Sequence, residues 1–119
     1  MQIEQCLHTA ILVSDLGKAE QFYGKVLGLE KISRSLKYEG AWYQVGSNQL
    51  HIIVDKNTEV GLTNTEKWGR NPHIALKVTD INSAIAQLTQ HNYSFQMSAS
   101  GRAALFVRDP DGNMIELSQ

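Results

Sequence analysis

Residues 73–80, HIALKVTD, restate residues 8–15, HTAILVSD, 65 positions later. At that spacing His8 falls on His73, Ala10 on Ala75, Val13 on Val78, Asp15 on Asp80 and Ala19 on Ala84. Self-similarity at one fixed period marks a structural unit made twice, and it limits the fold more than composition does. The same spacing sets His51 of LHIIV opposite Glu116 of IELSQ. Each half therefore carries two side chains able to ligate a metal, in matching register.

A chain of 119 residues is long enough for one real core but not for two independent ones, so both halves must share one fold. With 42% hydrophobic residues, 19% charged and a net charge of −1, the composition is that of an ordinary soluble protein. There is no basic run, no basic amphipathic helix and no apolar stretch approaching about 18 residues, which argues against nucleic acid or a membrane as partner. The start, MQIEQCLHTA, has neither a basic n-region nor an apolar signal core, so a cytoplasmic location is expected. The single cysteine, Cys6, has no internal partner and reads as a small buried residue of a strand rather than a nucleophile or ligand.

Taken in order, CLHTAILV is continuously apolar and β-branched and predicts a buried strand. Ser14 and Asp15 supply an N-cap. Leu16, Ala19, Phe22, Tyr23, Val26 and Leu27 then recur at helical spacing, and Gly28 suits the position past the helix end, which predicts a helix over about residues 15–27. LEKISRS, GAWYQVG and NQLHIIVD follow as three strands separated by KYEG and GSN. Residues 56–72 are polar and aperiodic and read as a linker between a first module, 1–55, and a second, 73–119. The second module repeats the order: NPHIALKVT as strand, Asp80 as cap, Ile81, Ala84, Ile85 and Leu88 on one helical face, then YSFQMSA, RAALFVRD and NMIELS as strands. Asp109-Pro110-Asp111-Gly112 is a strong turn between the last two. The fold class is α+β, a βαβββ unit made twice.

Alternation along a strand decides which residues share a face. His8, His51, His73 and Glu116 each oppose a predominantly apolar row, such as Leu50, Ile52 and Val54 around His51, so one sheet face is core and the other carries the candidate ligands. Leu12, Ile53, Ala75, Lys77 and Met114 share the ligand face, and Lys77 is the only basic residue there. The fourth histidine, His91, lies near a helix end outside this pattern.

The doubled βαβββ pattern, with HTAILVSDLGKAEQFYGKVLGLE, LHIIVD, HIALKVTD and FVRDPDGNMIEL, resembles the glyoxalase/bleomycin-resistance/dioxygenase superfamily, also called vicinal oxygen chelate proteins. The resemblance implies two tandem modules whose sheets curve around a cavity holding a divalent metal (Ni, Co, Zn, Fe or Mn), with His8, His51, His73 and Glu116 at the four recurrent ligand places. It also implies a homodimer, with ligands drawn from one chain or both.

Imidazoles with a carboxylate suit these ions, and four protein ligands on an octahedral ion leave two places for vicinal oxygens of a small organic substrate. The best-fitting activity is a glyoxalase-I-like lyase or isomerase in which Glu116 moves a proton beside a polarised carbonyl. Where glutathione-dependent members carry Arg and Asn, this chain has Leu12 and Asp55, which argues against strict dependence on glutathione. One alternative is an extradiol-type dioxygenase, with Fe(II) on His8, His73 and Glu116 and with His51 or Tyr43 as acid or base. Another is a metal-free sequestering protein of the resistance type. A fosfomycin-type transferase would need a basic cluster that the ligand face lacks. Trp42, Tyr43, Trp68 and Arg70 are candidate cavity walls, or else core and interface aromatics.

Overall fold

A computed structural model describes residues 1–119. Contacts divide the chain into two compact units, Met1–Thr58 and Glu59–Gln119. In the first, β1 (His8–Val13) leads into helix α1 (Leu16–Glu20), which widens into a π-helical turn over Gln21–Val26, and β2 (Glu30–Ile32), β3 (Gly40–Val45) and β4 (Asn48–Val54) follow. In the second, β5 (His73–Lys77) leads into α2 (Ile81–Gln90), then β6 (Phe95–Met97), β7 (Ala104–Arg108) and β8 (Met114–Ser118). The two sheets have the same topology, β1-β4-β3-β2 and β5-β8-β7-β6. In each, the first strand runs parallel to the last and the other pairings are antiparallel. The internal repeat is thus a repeated α+β architecture. No helix is long and apolar enough to cross a membrane.

Both helices begin as the sequence requires. Asp15 accepts the amide of Lys18 at 2.9 Å and Asp80 accepts that of Asn82 at 2.9 Å, each supplying a helix end with an acceptor for an otherwise orphaned N–H. The first helix departs from a regular α-helix over 15–27, since the amide of Leu27 bonds the carbonyl of Phe22, five residues back. One residue is absorbed into that wide turn. Phe22, Tyr23 and Val26 all bury against the sheet, and Gly28, at φ 73°, closes the element.

Register explains the core. Ala41, Tyr43, Leu50 and Ile52 share one face of the first sheet and are buried with Val13, Ala19, Phe22 and Tyr23. Leu105, Val107, Ile115 and Leu117 do the same in the second, under Ile81 and Leu88. Removing each of the Leu, Ile, Val and Phe side chains from water stabilises the fold by about 1.5–3 kcal/mol before entropy is counted. Tyr43 is therefore a core residue, not a cavity wall. Cys6 also differs from expectation: it lies before β1 and is exposed, because β1 is an edge strand with no cover over its N-terminal approach.

Residues 59–72 pack into the second unit rather than hanging between modules. Gln96 attaches them, accepting the Trp68 amide at 2.9 Å and donating to the Glu66 carbonyl at 2.8 Å, while buried Asn71 folds the segment on itself through side-chain bonds that periodicity cannot reveal. Its Oδ1 accepts the amides of Thr63 and Asn64 at 2.7 and 3.0 Å, and its Nδ2 donates to the carbonyls of Asn64 and Trp68. Trp68–Arg70 forms a single 3₁₀ turn within this network. The predicted turn at 109–112 forms around buried Asp109, whose Oδ1 accepts the amides of Asp111 and Asn113.

Candidate metal centre

The four predicted ligands form two pairs built the same way. In the first sheet Ala10 pairs with His51, so His8 stands diagonally across from His51 on the same face. In the second, Ala75 pairs with Glu116, so His73 stands diagonally across from Glu116. Diagonal neighbours on adjacent strands are within reach of long and aromatic side chains. In each pair the residue on the outer strand is exposed and its partner on the inner strand is buried, His51 at 8% and Glu116 at 6%. Nowhere in the chain do three or more His, Cys, Asp or Glu side chains form a group able to hold a metal ion.

In the first pair the imidazoles stack, with centroids 4.0 Å apart and planes at 12°. Trp42, directly opposite His51 in register, stacks on the other side of His51 at 4.1 Å and 6°. His51 is thus held between two rings, and its Nε2 lies 2.8 Å from Oε1 of Gln49. Donation of Nε2–H to that oxygen leaves Nδ1 with its lone pair. Burial, then His8, then the Arg34 guanidinium depress the His51 pKa below the ordinary 6.5. The Trp42 indole N–H is buried beside this pair without an acceptor, as is Nε of Arg34.

The depressed pKa has a measurable consequence. The unfolded chain protonates His51 near 6.5 and the folded chain only at lower pH, so this residue's share of stability is whole above about 6.5 and is lost as pH falls below it. Urea midpoints of chelator-treated protein at pH 7.5 and pH 5 should therefore differ less for His51→Gln than for the parent chain. Equal pH slopes in the two proteins would refute this.

In the second pair His73 Nε2 lies 3.0 Å from Glu116 Oε2, while His73 Nδ1 bonds the carbonyl of Asn71 at 2.7 Å. Phe106 stands edge-on to the His73 ring at 5.4 Å. The other oxygen of Glu116, Oε1, meets Nη1 of Arg102 at 3.1 Å. Arg102 was not picked out by sequence reasoning, although alternation from Phe106 back through Ala104 places it on the side of the sheet that carries Glu116. The absence of a basic cluster also needs correction. Lys67, Arg70 and Arg102, with Glu66, line a cavity of about 550 Å³ within the second unit. They come from residues 59–72 and the β6–β7 loop, outside the strands that alternation describes.

His91 lies outside the site as expected, and Tyr43 is not available as its acid or base. His91 caps the C-terminus of α2 and contacts Gln87. Tyr43, on the core face, has its pKa pushed up to about 12 by burial and by Glu20, the wrong direction for a group exchanging protons near neutrality.

Comparison with known proteins identifies the family. The profile of the Glyoxalase/Bleomycin resistance protein/Dioxygenase superfamily matches residues 5–117. The chain belongs to this superfamily. It is 31% identical to a lactoylglutathione lyase of Escherichia coli O157:H7 over 93% of this chain and 89% of that protein. It is 30% identical to a probable lactoylglutathione lyase of Vibrio cholerae over 100% of this chain and 93% of the relative. Among solved structures, the trypanothione-dependent glyoxalase I of Leishmania major superposes with a TM-score of 0.76 at 28% identity, covering 98% of this chain and 87% of that one. The glyoxalase family protein of Enterococcus faecalis, at 22% identity, shares the fold with a TM-score of 0.73 over 100% of both chains.

Superfamily enzymes of this kind use divalent metal ions, and each pair here supplies two donors of the right chemistry, short of the three or more that would hold an ion. A metal-ligating imidazole ordinarily donates its second N–H to a carbonyl or carboxylate, which fixes the ring and leaves the other nitrogen for the metal. His73 already does this through Nδ1 and Asn71, with Nε2 turned toward Glu116. Borderline nitrogen donors with one carboxylate match Zn, Ni, Co, Fe or Mn better than Mg or Ca.

Proposed function

We propose that this protein is a metal-dependent, glyoxalase-I-like lyase or isomerase acting on an adduct of a thiol and a 2-oxoaldehyde, with His8, His51, His73 and Glu116 as metal ligands. The observation that carries this reading is the His73–Glu116 pair, a tied imidazole and a buried carboxylate 3.0 Å apart on one sheet face. The four ligands require one pair of each kind, drawn from one chain or from two copies in a homodimer. A bound divalent ion would supply Lewis-acid polarisation of two adjacent substrate oxygens, an effect worth several kcal/mol.

The chain's own residues account for the rest. Glu116 is the base: a carboxylate presented at one oxygen can take a proton from one carbon and return it to the neighbouring carbon, a positioned transfer worth roughly 10²–10⁴-fold. His73, anchored through Asn71, is held with its Nε2 3.0 Å from that carboxylate, so the two donors face each other on one sheet face. Trp42 packs the His51 ring in place. The relatives named lactoylglutathione lyase and the trypanothione-dependent glyoxalase I point to thiol adducts as a class. Leu12 and Asp55, both exposed, supply neither the cation nor the amide of a glutathione site, which favours a different thiol carrier.

The test is turnover of methylglyoxal adducts with a panel of thiols, before and after chelation and after return of Ni²⁺, Co²⁺ or Zn²⁺. Activity lost to the chelator and regained with the ion supports the reading. A chelator-resistant protein, or one inert towards every adduct after metal loading, refutes it.

A further inference from the structure

The cavity of about 550 Å³ in the second unit is lined by two cations that nothing neutralises. The Lys67 ammonium and the Arg70 guanidinium make no ion pair and no side-chain hydrogen bond. Both nevertheless stand on a fixed segment. Gln96 ties it to β6, accepting the Trp68 amide at 2.9 Å and donating to the Glu66 carbonyl at 2.8 Å. The 3₁₀ turn then approaches the Phe106 ring so closely that only glycine fits, since a Cβ on Gly69 would lie 2.6 Å from Phe106 Cζ. The β6–β7 loop supplies a third cation. Arg102 donates from Nε to Ser100 Oγ at 3.1 Å and from Nη1 to Glu116 Oε1 at 3.1 Å, which leaves its Nη2 donors unused. The Ser98 and Ser100 hydroxyls lie 2.8 Å apart on the same loop, and Glu66 is the one acid among the lining residues.

We propose that this cavity binds a phosphate monoester, with the dianion held among Lys67, Arg70 and Arg102 and the organic body lying on Phe106. Charge and shape both point there. A carboxylate presents two coplanar oxygens that a single guanidinium fork satisfies, so it would leave a second cation unmatched. A phosphate monoester carries about −1.5 to −2 charge at neutral pH and three terminal oxygens, one for each cation. The serine hydroxyls add neutral donors. A volume of about 550 Å³ falls within the roughly 300–1,000 Å³ of small-molecule sites, more than a bare anion fills. Phe106 also stands edge-on to His73, and Arg102 meets Glu116, so the cavity shares two residues with the His73–Glu116 pair. As a substrate handle, the phosphate would sit on the thiol carrier, and in that respect the proposal rests on the reading above and narrows its substrate class. Binding itself needs no metal ion.

The experiment is isothermal titration calorimetry of chelator-treated protein with phenyl phosphate, inorganic phosphate and benzoate at one ionic strength. Phenyl phosphate should bind roughly tenfold or more tightly than either of the others. Lys67→Gln and Arg70→Gln should each weaken it by roughly tenfold, the loss of one charge-assisted hydrogen bond, and Arg70→Lys should fall between. Lys77→Gln, which removes an exposed cation outside the cavity, should leave binding unchanged. Thermal unfolding confirms that the variants fold, as substitutions of exposed residues should. Benzoate binding as tightly as phenyl phosphate overturns the proposal in favour of a carboxylate site, and inorganic phosphate binding as tightly overturns the assignment to an ester. No binding of phenyl phosphate, or equal weakening in Lys77→Gln, overturns the site altogether. Phenyl phosphate binding as expected in a protein that turns over no adduct after metal loading supports the cavity and removes the reading of the reaction.

Discussion

Glu116→Gln should retain the fold and lose turnover by roughly 10²–10⁴-fold, the range for removal of a positioned general base. Gln has the same shape and can still bond His73 and Arg102, but it has no charge and cannot accept a proton reversibly at a carboxylate oxygen. The loss should fall on kcat. The neighbouring His73→Ala should differ in kind, weakening metal uptake first, because it removes the Nε2 that the Nδ1 bond to Asn71 sets beside Glu116. Steady-state kinetics of the metal-loaded variants distinguishes the two. A Glu116→Gln protein within about tenfold of the parent would remove Glu116 from the chemistry and leave proton transfer without a base.

The second large effect concerns stability. Phe22→Ala should destabilise the chain by about 3–5 kcal/mol, because the ring is fully buried at the π-helical turn and the surrounding core can collapse only partly. In a protein of this size that lowers Tm by roughly 10–20 °C. Tyr23, at 89° to Phe22 with centroids 4.9 Å apart, would lose its edge-to-face partner in the same step. A shift below about 1 kcal/mol in urea titrations would mean that the helix-to-sheet packing of the first unit is not where its stability lies.

Much of this was legible in the sequence because the informative residues act locally or at a fixed period. Asp15 and Asp80 cap helices whose neighbours they touch, and alternation separated Tyr43, Leu50 and Ile52 from His51 once a register existed. The offset that aligned His8 with His73 also aligned His51 with Glu116, and the structure sets His8 across from His51 in one sheet and His73 across from Glu116 in the other, on matching diagonals. What escaped lies where side chains bond backbone or loops reach across. Asn71 folds residues 63–71 on themselves through four hydrogen bonds and Gln96 ties them to the second unit, and an aperiodic polar stretch gives no sign of either. The π-helical turn has the same apolar spacing as an α-helix until one residue is absorbed. Arg102 sits on a loop whose parity becomes meaningful only when β7 is paired with β8. Sequence leaves Tyr43 open between cavity wall and core, because an aromatic residue in a strand reads equally well on either face until its neighbours are paired, and pairing places it in the core.

The central claim is that a pair of ligands from each unit serves one cation, and its most direct test is a Zn²⁺ competition titration of the parent chain beside His8→Ala and His73→Ala. The account predicts one ion per chain for the parent and a large loss of affinity in both variants, although the two substitutions fall in different sheets. A parent chain that binds no ion, or a loss confined to one variant, would contradict it.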